Sequence, residues 1–160
     1  MKKIIFSIAT CLSLLSCSKE EVTPTTEVKN YTNFKITSIQ VNKIPMVDAS
    51  GSSWDTFDGP DLKFNIENFN EDVLYKGSSR YDNLLSSSLP AGWNFTPSYE
   101  ITNFEVSYFF SLYDHDYPDD DDKIGYVGIN FNQHKSGYPN SITKISTDGS
   151  ISITINGNWY

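Results

Sequence analysis

Cysteine and histidine are scarce in this chain of 160 residues, which contains two of each. Both cysteines, Cys11 and Cys17, lie near the N-terminus, so the rest of the chain has no thiol for disulfides, thiol catalysis or zinc binding. The histidines, His115 and His134, lack the spacing of a zinc site. The chain also lacks a nucleophile-elbow motif and a glycine-rich phosphate loop. We therefore expect that the protein is not an enzyme.

Basic residues are also few. The chain has 12 Lys and Arg against 20 Asp and Glu, which gives a formal net charge of -8. Nucleic-acid binding and attachment through a polybasic membrane patch both need clustered Lys and Arg, so this balance argues against both. With 38% hydrophobic and 14% aromatic residues, the chain can still bury a core, and its length suits one domain.

The chain contains no apolar run long enough to span a membrane as a helix. Its longest run covers residues 4–15, about 12 residues, whereas a span needs about 20. Preceded by Lys2 and Lys3, this run predicts a secretory signal peptide. The following Leu14-Leu15-Ser16-Cys17 resembles the lipobox of bacterial lipoproteins. The resemblance implies removal of residues 1–16 and attachment of the chain to a membrane through lipidated Cys17; the alternative is an ordinary signal peptide cleaved nearby.

Residues 17–30 are polar and predict a tether between the lipid and the domain. A serine directly after the cysteine, followed by Lys19-Glu20-Glu21, resembles lipoproteins of the outer membrane that are displayed on the cell surface. The alternative interpretation is a solvated acidic linker.

From Tyr31 to Tyr160 the hydrophobic residues alternate with a period of two, which predicts strands. A change of parity near Thr37-Ser38 predicts a β-bulge, and Asp148-Gly149 predicts a hairpin turn. We predict a single antiparallel, eight-stranded β-sandwich over residues 31–160. Apolar residues assign its strands as follows: Phe34, Ile36, Ile39 and Val41; Leu62, Phe64 and Ile66; Val73 and Tyr75; a short strand with Trp93 and Phe95 between Pro90 and Pro97; Phe104, Val106, Tyr108, Phe110 and Leu112; Val127, Ile129 and Phe131; Ile151, Ile153 and Ile155.

Acidic residues are concentrated in two windows that contain no Lys or Arg. Residues 114–122 hold six aspartates and residues 48–61 hold four, together half of the 20 acidic residues. Like charges about 4 Å apart repel by ~1 kcal/mol in water and by more near a protein surface. A divalent cation would remove this repulsion, and a donor set made only of oxygen atoms favours calcium.

Within these windows, spacing selects the candidate ligands. Asp114 and Asp116 project to the same side of a strand end, and Asp122 can fold back over them across the turn at Pro118. Asp55 and Asp61 form a similar pair before the next strand. We expect Asp119, Asp120 and Asp121 to be solvated; the alternative for the whole window is a solvated, disordered loop.

The segment from Leu112 to Gly125 resembles the third calcium loop of C2 domains, whose pattern is apolar-x-Asp-x-Asp, Asp six residues later, then an apolar residue and Gly. Gly59-Pro60-Asp61 resembles part of the first loop, and Pro90-Ala-Gly-Trp-Asn-Phe95 resembles a central strand. The resemblance implies a C2-like fold and calcium ligands at Asp55, Asp61, Asp114, Asp116 and Asp122. The first loop is longer than usual, so Asp48 and Asp55 compete for one ligand position, and spacing favours Asp55.

Three aromatic residues, Trp54, Phe57 and Tyr117, lie in these loops and form a candidate ligand-contact rim. In C2 domains that dock on membranes, calcium bridges aspartates to lipid phosphates, so the resemblance implies an anionic partner such as lipid head groups. Two alternatives remain. The domain binds surface glycans through its aromatic residues, or it is a structural accessory lipoprotein whose calcium only stabilises the fold.

Overall fold

The structure, a computed structural model, describes residues 29–55 and 59–160. The predicted signal peptide, Cys17 and Phe57 lie outside the described residues, as does the predicted tether up to residue 28. The statements made about them above stay predictions.

The described residues form eight strands in two four-stranded sheets that pack as a β-sandwich, which confirms the predicted fold class. All pairings are antiparallel. The first sheet has the order β4-β1-β8-β7 and the second the order β3-β2-β5-β6. The strands are β1 (Phe34–Lys43), β2 (Leu62–Glu67), β3 (Val73–Lys76), β4 (Ala91–Ile101), β5 (Ser107–Asp114), β6 (Asp122–Asn130), β7 (Ser141–Ile145) and β8 (Ser152–Trp159).

The predicted bulge in β1 is confirmed. The pairing of β1 with both of its neighbours shifts register between Ile36 and Ser38. A bulge adds one residue to one strand, so the side chains after it point to the opposite face of the strand from that expected by simple alternation. Phe34, Ile36, Ile39 and Val41 can therefore all be buried despite their change of parity.

The predicted short strand between Pro90 and Pro97 is wrong in length, because β4 continues to Ile101. Proline cannot donate a backbone hydrogen bond and is tolerated in strands where the pairing is interrupted. Along β4 the residues paired with β1 jump from Asn94 to Tyr99, so Pro97 lies in a stretch that makes no ladder pair with β1.

Two other strands are shorter than predicted. The strand β5 begins at Ser107, and Val106, just before it, is exposed. The strand β6 ends at Asn130, because Phe131 opens a 3-10 turn (Phe131–His134) that is capped by the Asn130 side chain, which accepts a hydrogen bond from the N–H of Asn132. Phe131 is nevertheless fully buried, so its contribution to the core was predicted correctly.

The core lies between the sheets and contains four fully buried phenylalanines: Phe34, Phe64, Phe110 and Phe131. Burying one such side chain stabilises the fold by roughly 2–3 kcal/mol. The buried hydrophobic residues of the described part all lie between Phe34 and Trp159. We therefore expect residues 29–160 to fold without the preceding segment.

A second 3-10 turn, at Ser86–Ser88, follows β3. In the described part of the chain, no helix has the length and apolar character needed to cross a membrane.

The pairing of β2 with β5 determines where the acidic windows meet. Leu62, the first residue of β2, pairs with Asp114, the last residue of β5. The end of the first acidic window and the start of the second therefore lie side by side at one end of the second sheet.

Gly157 of β8 provides a test of this packing. A Cβ atom at Gly157 would lie 2.5 Å from Cζ of Phe34 and even closer to the carbonyl oxygen of Lys35. We expect Gly157→Ala to destabilise the domain by about 2 kcal/mol, because overpacking forces the bulged region of β1 to move. Thermal melts measure the effect. Gly137→Ala is the matched control, since a Cβ at Gly137 meets no atom within 4 Å; equal melting temperatures for the two variants would contradict the packing.

Candidate metal centre

Three of the predicted ligands converge in the structure. Asp55, from the β1–β2 connection, approaches Asp114 at the end of β5 and Asp116 just beyond it. One carboxylate oxygen from each lies within 4.8 Å of the other two. The three residues come from both acidic windows, so the structure brings the two windows together at a single point.

Asp114 lies at the base of the cluster and is only 1% exposed. Its Oδ1 accepts a hydrogen bond of 2.6 Å from the backbone N–H of Asp61. Its Oδ2 is buried and has no hydrogen-bond partner among the described residues. An unpaired buried acceptor typically destabilises a fold by about 1–3 kcal/mol, and by more when it is charged.

The pKa of Asp114 reflects this setting. Burial is the largest cause that raises this pKa to about 6; the charges of Asp55, Asp116 and Asp61 act in the same direction, against the hydrogen bond from Asp61. Asp116 is half-buried, and burial together with the charges of Asp122, Asp119 and Asp121 raises its pKa as well. In both residues the surroundings disfavour the ionised carboxylate.

These observations fit a divalent cation. The donors are carboxylate oxygens, which calcium prefers, and the unpaired Oδ2 of Asp114 lacks a positive partner. Among the described residues no Lys, Arg or His forms an ion pair with Asp114 or Asp116. Asp55, Asp114 and Asp116 would hold the ion.

Asp61 lies beside the cluster, but its carboxylate makes other contacts. Its Oδ1 accepts a hydrogen bond of 2.8 Å from the backbone N–H of Asn83, and its Oδ2 lies 3.7 Å from Nε of Arg80. The backbone of Asp61, in contrast, supports the cluster directly by donating its N–H to Asp114.

Asp122 is exposed and pairs with Asp114 across β5 and β6. It is close enough to Asp116 for its charge to raise the pKa of that residue. Its carboxylate is not one of the three that converge.

Asp48, the competing candidate in the first loop, is held in a local turn. Its Oδ1 accepts hydrogen bonds from the backbone N–H groups of Ser50 and Ser52, each at 2.8 Å, and from the Ser50 hydroxyl at 2.7 Å. These bonds lower the pKa of Asp48. The structure thus places Asp55, and not Asp48, next to Asp114.

Asp121 is not the solvated residue expected from the sequence. Its Oδ2 forms an ion pair with Nζ of Lys63 on β2, and its Oδ1 lies 2.6 Å from Nδ1 of His115. Sequence analysis missed Lys63 because it lies 58 residues away. The available signal was its position in β2, where it alternates with buried Leu62 and Phe64 and pairs with Tyr113 next to the acidic loop.

The predicted aromatic rim is only partly described. The indole N–H of half-buried Trp54 donates a 2.9 Å hydrogen bond to the carbonyl of Pro45, so Trp54 packs against its own loop. Tyr117, at the tip of the other loop, is 91% exposed.

Comparisons with known proteins identify the architecture. No protein-family model and no curated protein matches the chain. Among solved structures, the chain is similar to the paired C2 domains of extended synaptotagmin 2, with a TM-score of 0.55 over 99% of this chain. The fold is C2-like. The sequence identity is 13% and the chain spans 49% of that structure's chain, so the similarity concerns the fold alone.

Replacing Asp114 by Asn gives opposite effects with and without calcium. The amide keeps an Oδ1 acceptor for the N–H of Asp61 but removes a buried charge beside two other carboxylates. In metal-depleted buffer at neutral pH we therefore expect Asp114→Asn to raise the melting temperature of residues 29–160 by several degrees. In calcium the variant should lose most of the stabilisation that the unmodified domain gains. Thermal melts in both buffers measure this.

The advantage of the variant without calcium should also shrink as the pH falls from 7 to 5. In the folded protein Asp114 takes up a proton near its raised pKa of about 6, well above its ordinary value of 3.8. Its stabilising contribution is complete below the ordinary value and is lost as the pH rises through about 6. A variant less stable than the unmodified domain at neutral pH without calcium would contradict this description of the site.

Proposed function

We propose that this domain binds calcium through Asp55, Asp114 and Asp116. The observation that carries the proposal is the buried, unpaired Oδ2 of Asp114, which lies in a group of three converging carboxylates. Calcium would neutralise the group, supply the missing partner and hold the β1–β2 and β5–β6 connections together. Asp61 and Asp122 adjoin the site and would join it after small side-chain movements, in the case of Asp61 by exchanging Arg80 for the ion.

The second part of the proposal is that bound calcium engages an anionic partner, such as a lipid head group. The loops of the acidic cluster form one end of the sandwich, and Tyr117 projects from them into solvent. An ion held at such a loop end keeps coordination positions for outside oxygen atoms, because calcium takes 6–8 ligands and three carboxylates supply only some of them. The C2-like fold of the domain supports this proposal without assigning the partner.

We further propose that the protein acts as a lipid-anchored binding module, not as an enzyme. Lipidation of Cys17 would tether the domain to the outer membrane, and the polar tether would let the acidic loops reach a second surface. The observations that favour this are the lipobox-like residues before Cys17 and the polar composition of residues 17–30.

Sedimentation with vesicles tests the function. Residues 29–160 should sediment with phosphatidylserine vesicles in millimolar calcium, but not in chelator and not with vesicles of phosphatidylcholine alone. Asp116→Asn should abolish sedimentation, because it removes one of the three carboxylates.

The matched control is Asp48→Asn, which makes the same charge change in a neighbouring loop. Its carboxylate is occupied by Ser50 and Ser52, and the amide keeps an acceptor for them, so sedimentation should persist. Calcium binding without sedimentation would contradict the lipid part of the proposal and would favour a purely structural role for the ion.

A further inference from the structure

The outward face of the second sheet carries a row of aromatic rings that is separate from the acidic loops. Phe69, on the β2–β3 connection, is 84% exposed, and Tyr126 on β6 is 50% exposed. Phe109 of β5 lies between them, with ring centroids 6.4 Å from Phe69 and 5.4 Å from Tyr126. We call Phe69, Phe109 and Tyr126 the aromatic row.

A glycine makes this row continuous. Gly128 of β6 pairs with Phe109, and a Cβ atom there would lie 3.2 Å from the Phe109 ring. Without that atom the ring can lie close to the strand. Exposed rings in contact with one another present a wider apolar surface than the scattered apolar side chains that are common on soluble proteins.

A buried polar network lies next to the aromatic row. Glu67 is buried, and its carboxylate accepts hydrogen bonds from the hydroxyls of Ser111 at 2.6 Å and Tyr113 at 2.5 Å. Lys123 lies 3.4 Å from Glu67 and 3.0 Å from exposed Glu71. Burial raises the pKa of Glu67, but these bonds and the charge of Lys123 outweigh it and lower the pKa, so Glu67 is ionised.

Together the rings and this network form a binding pocket of about 100 Å³, lined by residues that include all three rings, Glu67, Glu71 and Lys123. Binding sites for small ligands combine apolar walls with a few fixed polar groups in this manner. The polar groups here are held in position by one another, which limits the entropy lost on binding.

The charges in the pocket narrow the class of ligand. The ammonium group of Lys123 lies 5.5 Å from the Tyr126 ring centroid and 5.7 Å from that of Tyr113, so it already fills the position where a cationic ligand would contact the rings. An anion is disfavoured, because the two carboxylates of Glu67 and Glu71 outnumber the one ammonium group. A neutral ligand with hydroxyl groups remains.

We propose that this pocket binds a neutral saccharide. Sugar rings have apolar C–H faces that pack on aromatic side chains, while their hydroxyls donate to carboxylates and accept from ammonium groups. A sugar on Phe69 and Tyr126 would reach Glu71 and Lys123 in this way. The site uses none of the converging aspartates and none of the residues of the predicted loop rim, so its binding is independent of calcium.

Native affinity electrophoresis of the full chain in mild detergent tests the proposal. Gels would contain dextran, laminarin or galactomannan, each a soluble neutral polysaccharide. We expect at least one of them to retard the protein equally in calcium and in chelator. Phe69→Ala should weaken the retardation by about tenfold, since truncating a central aromatic contact typically costs more than 1 kcal/mol. Glu71→Gln should weaken it by removing a hydroxyl acceptor while leaving the rings in place.

Tyr117→Ala is the matched control, because it removes an equally exposed aromatic ring from the acidic loop end; it should leave the retardation unchanged. Phe69 is exposed, so its variant should melt at the same temperature as the unmodified protein. The absence of retardation in all three gels would overturn the proposal, as would retardation that survives Phe69→Ala. Sedimentation velocity provides a further check: self-association abolished by Phe69→Ala would show that a second copy of the chain covers the aromatic row and would also overturn the proposal.

Discussion

The pairing of β2 with β5 is the constraint on which the candidate metal centre depends. It joins the first residue of one strand to the last of the other, Leu62 to Asp114. The backbone N–H just before β2, that of Asp61, then donates to the Asp114 carboxylate and holds it in the interior. Because backbone hydrogen bonds determine the register, and the buried Leu62, Phe64 and Ile66 exclude a shift by one residue, the position of Asp114 follows from the core itself.

At this end of the sandwich the acidic residues are of two kinds. Asp61 and Asp121 have basic partners supplied by other parts of the chain, Arg80 for the first and Lys63 with His115 for the second. Asp114 and Asp116 have no such partner in the described ranges, and burial raises the pKa of both. The folded domain thus compensates the charges at the margin of the loops and leaves those at the centre to an external cation.

Much of the fold follows from local sequence patterns. The parity change after Ile36 predicted a bulge that both neighbouring strands confirm, and the C2-like architecture agrees with the structural comparison. Contacts between distant segments were harder to predict: Lys63 meets Asp121 across 58 residues, and no local pattern reports such a pair. Asp48 also shows why charge and spacing are insufficient. Its serine neighbours at positions 50 and 52 form a turn around its carboxylate, a local signal typical of aspartate in loops.

Calorimetric titration of residues 29–160 with calcium tests the central claim most directly, because it reports binding without assuming a partner. The account predicts a saturable heat at calcium concentrations up to the millimolar range, retained in Asp48→Asn and lost in Asp114→Asn. Thermal melts at saturating calcium, about 100 times the dissociation constant, should then show a stabilisation of roughly 2.7 kcal/mol. The absence of any saturable heat up to millimolar calcium, or an equal heat in Asp114→Asn, would contradict the assignment of the converging aspartates as a calcium site.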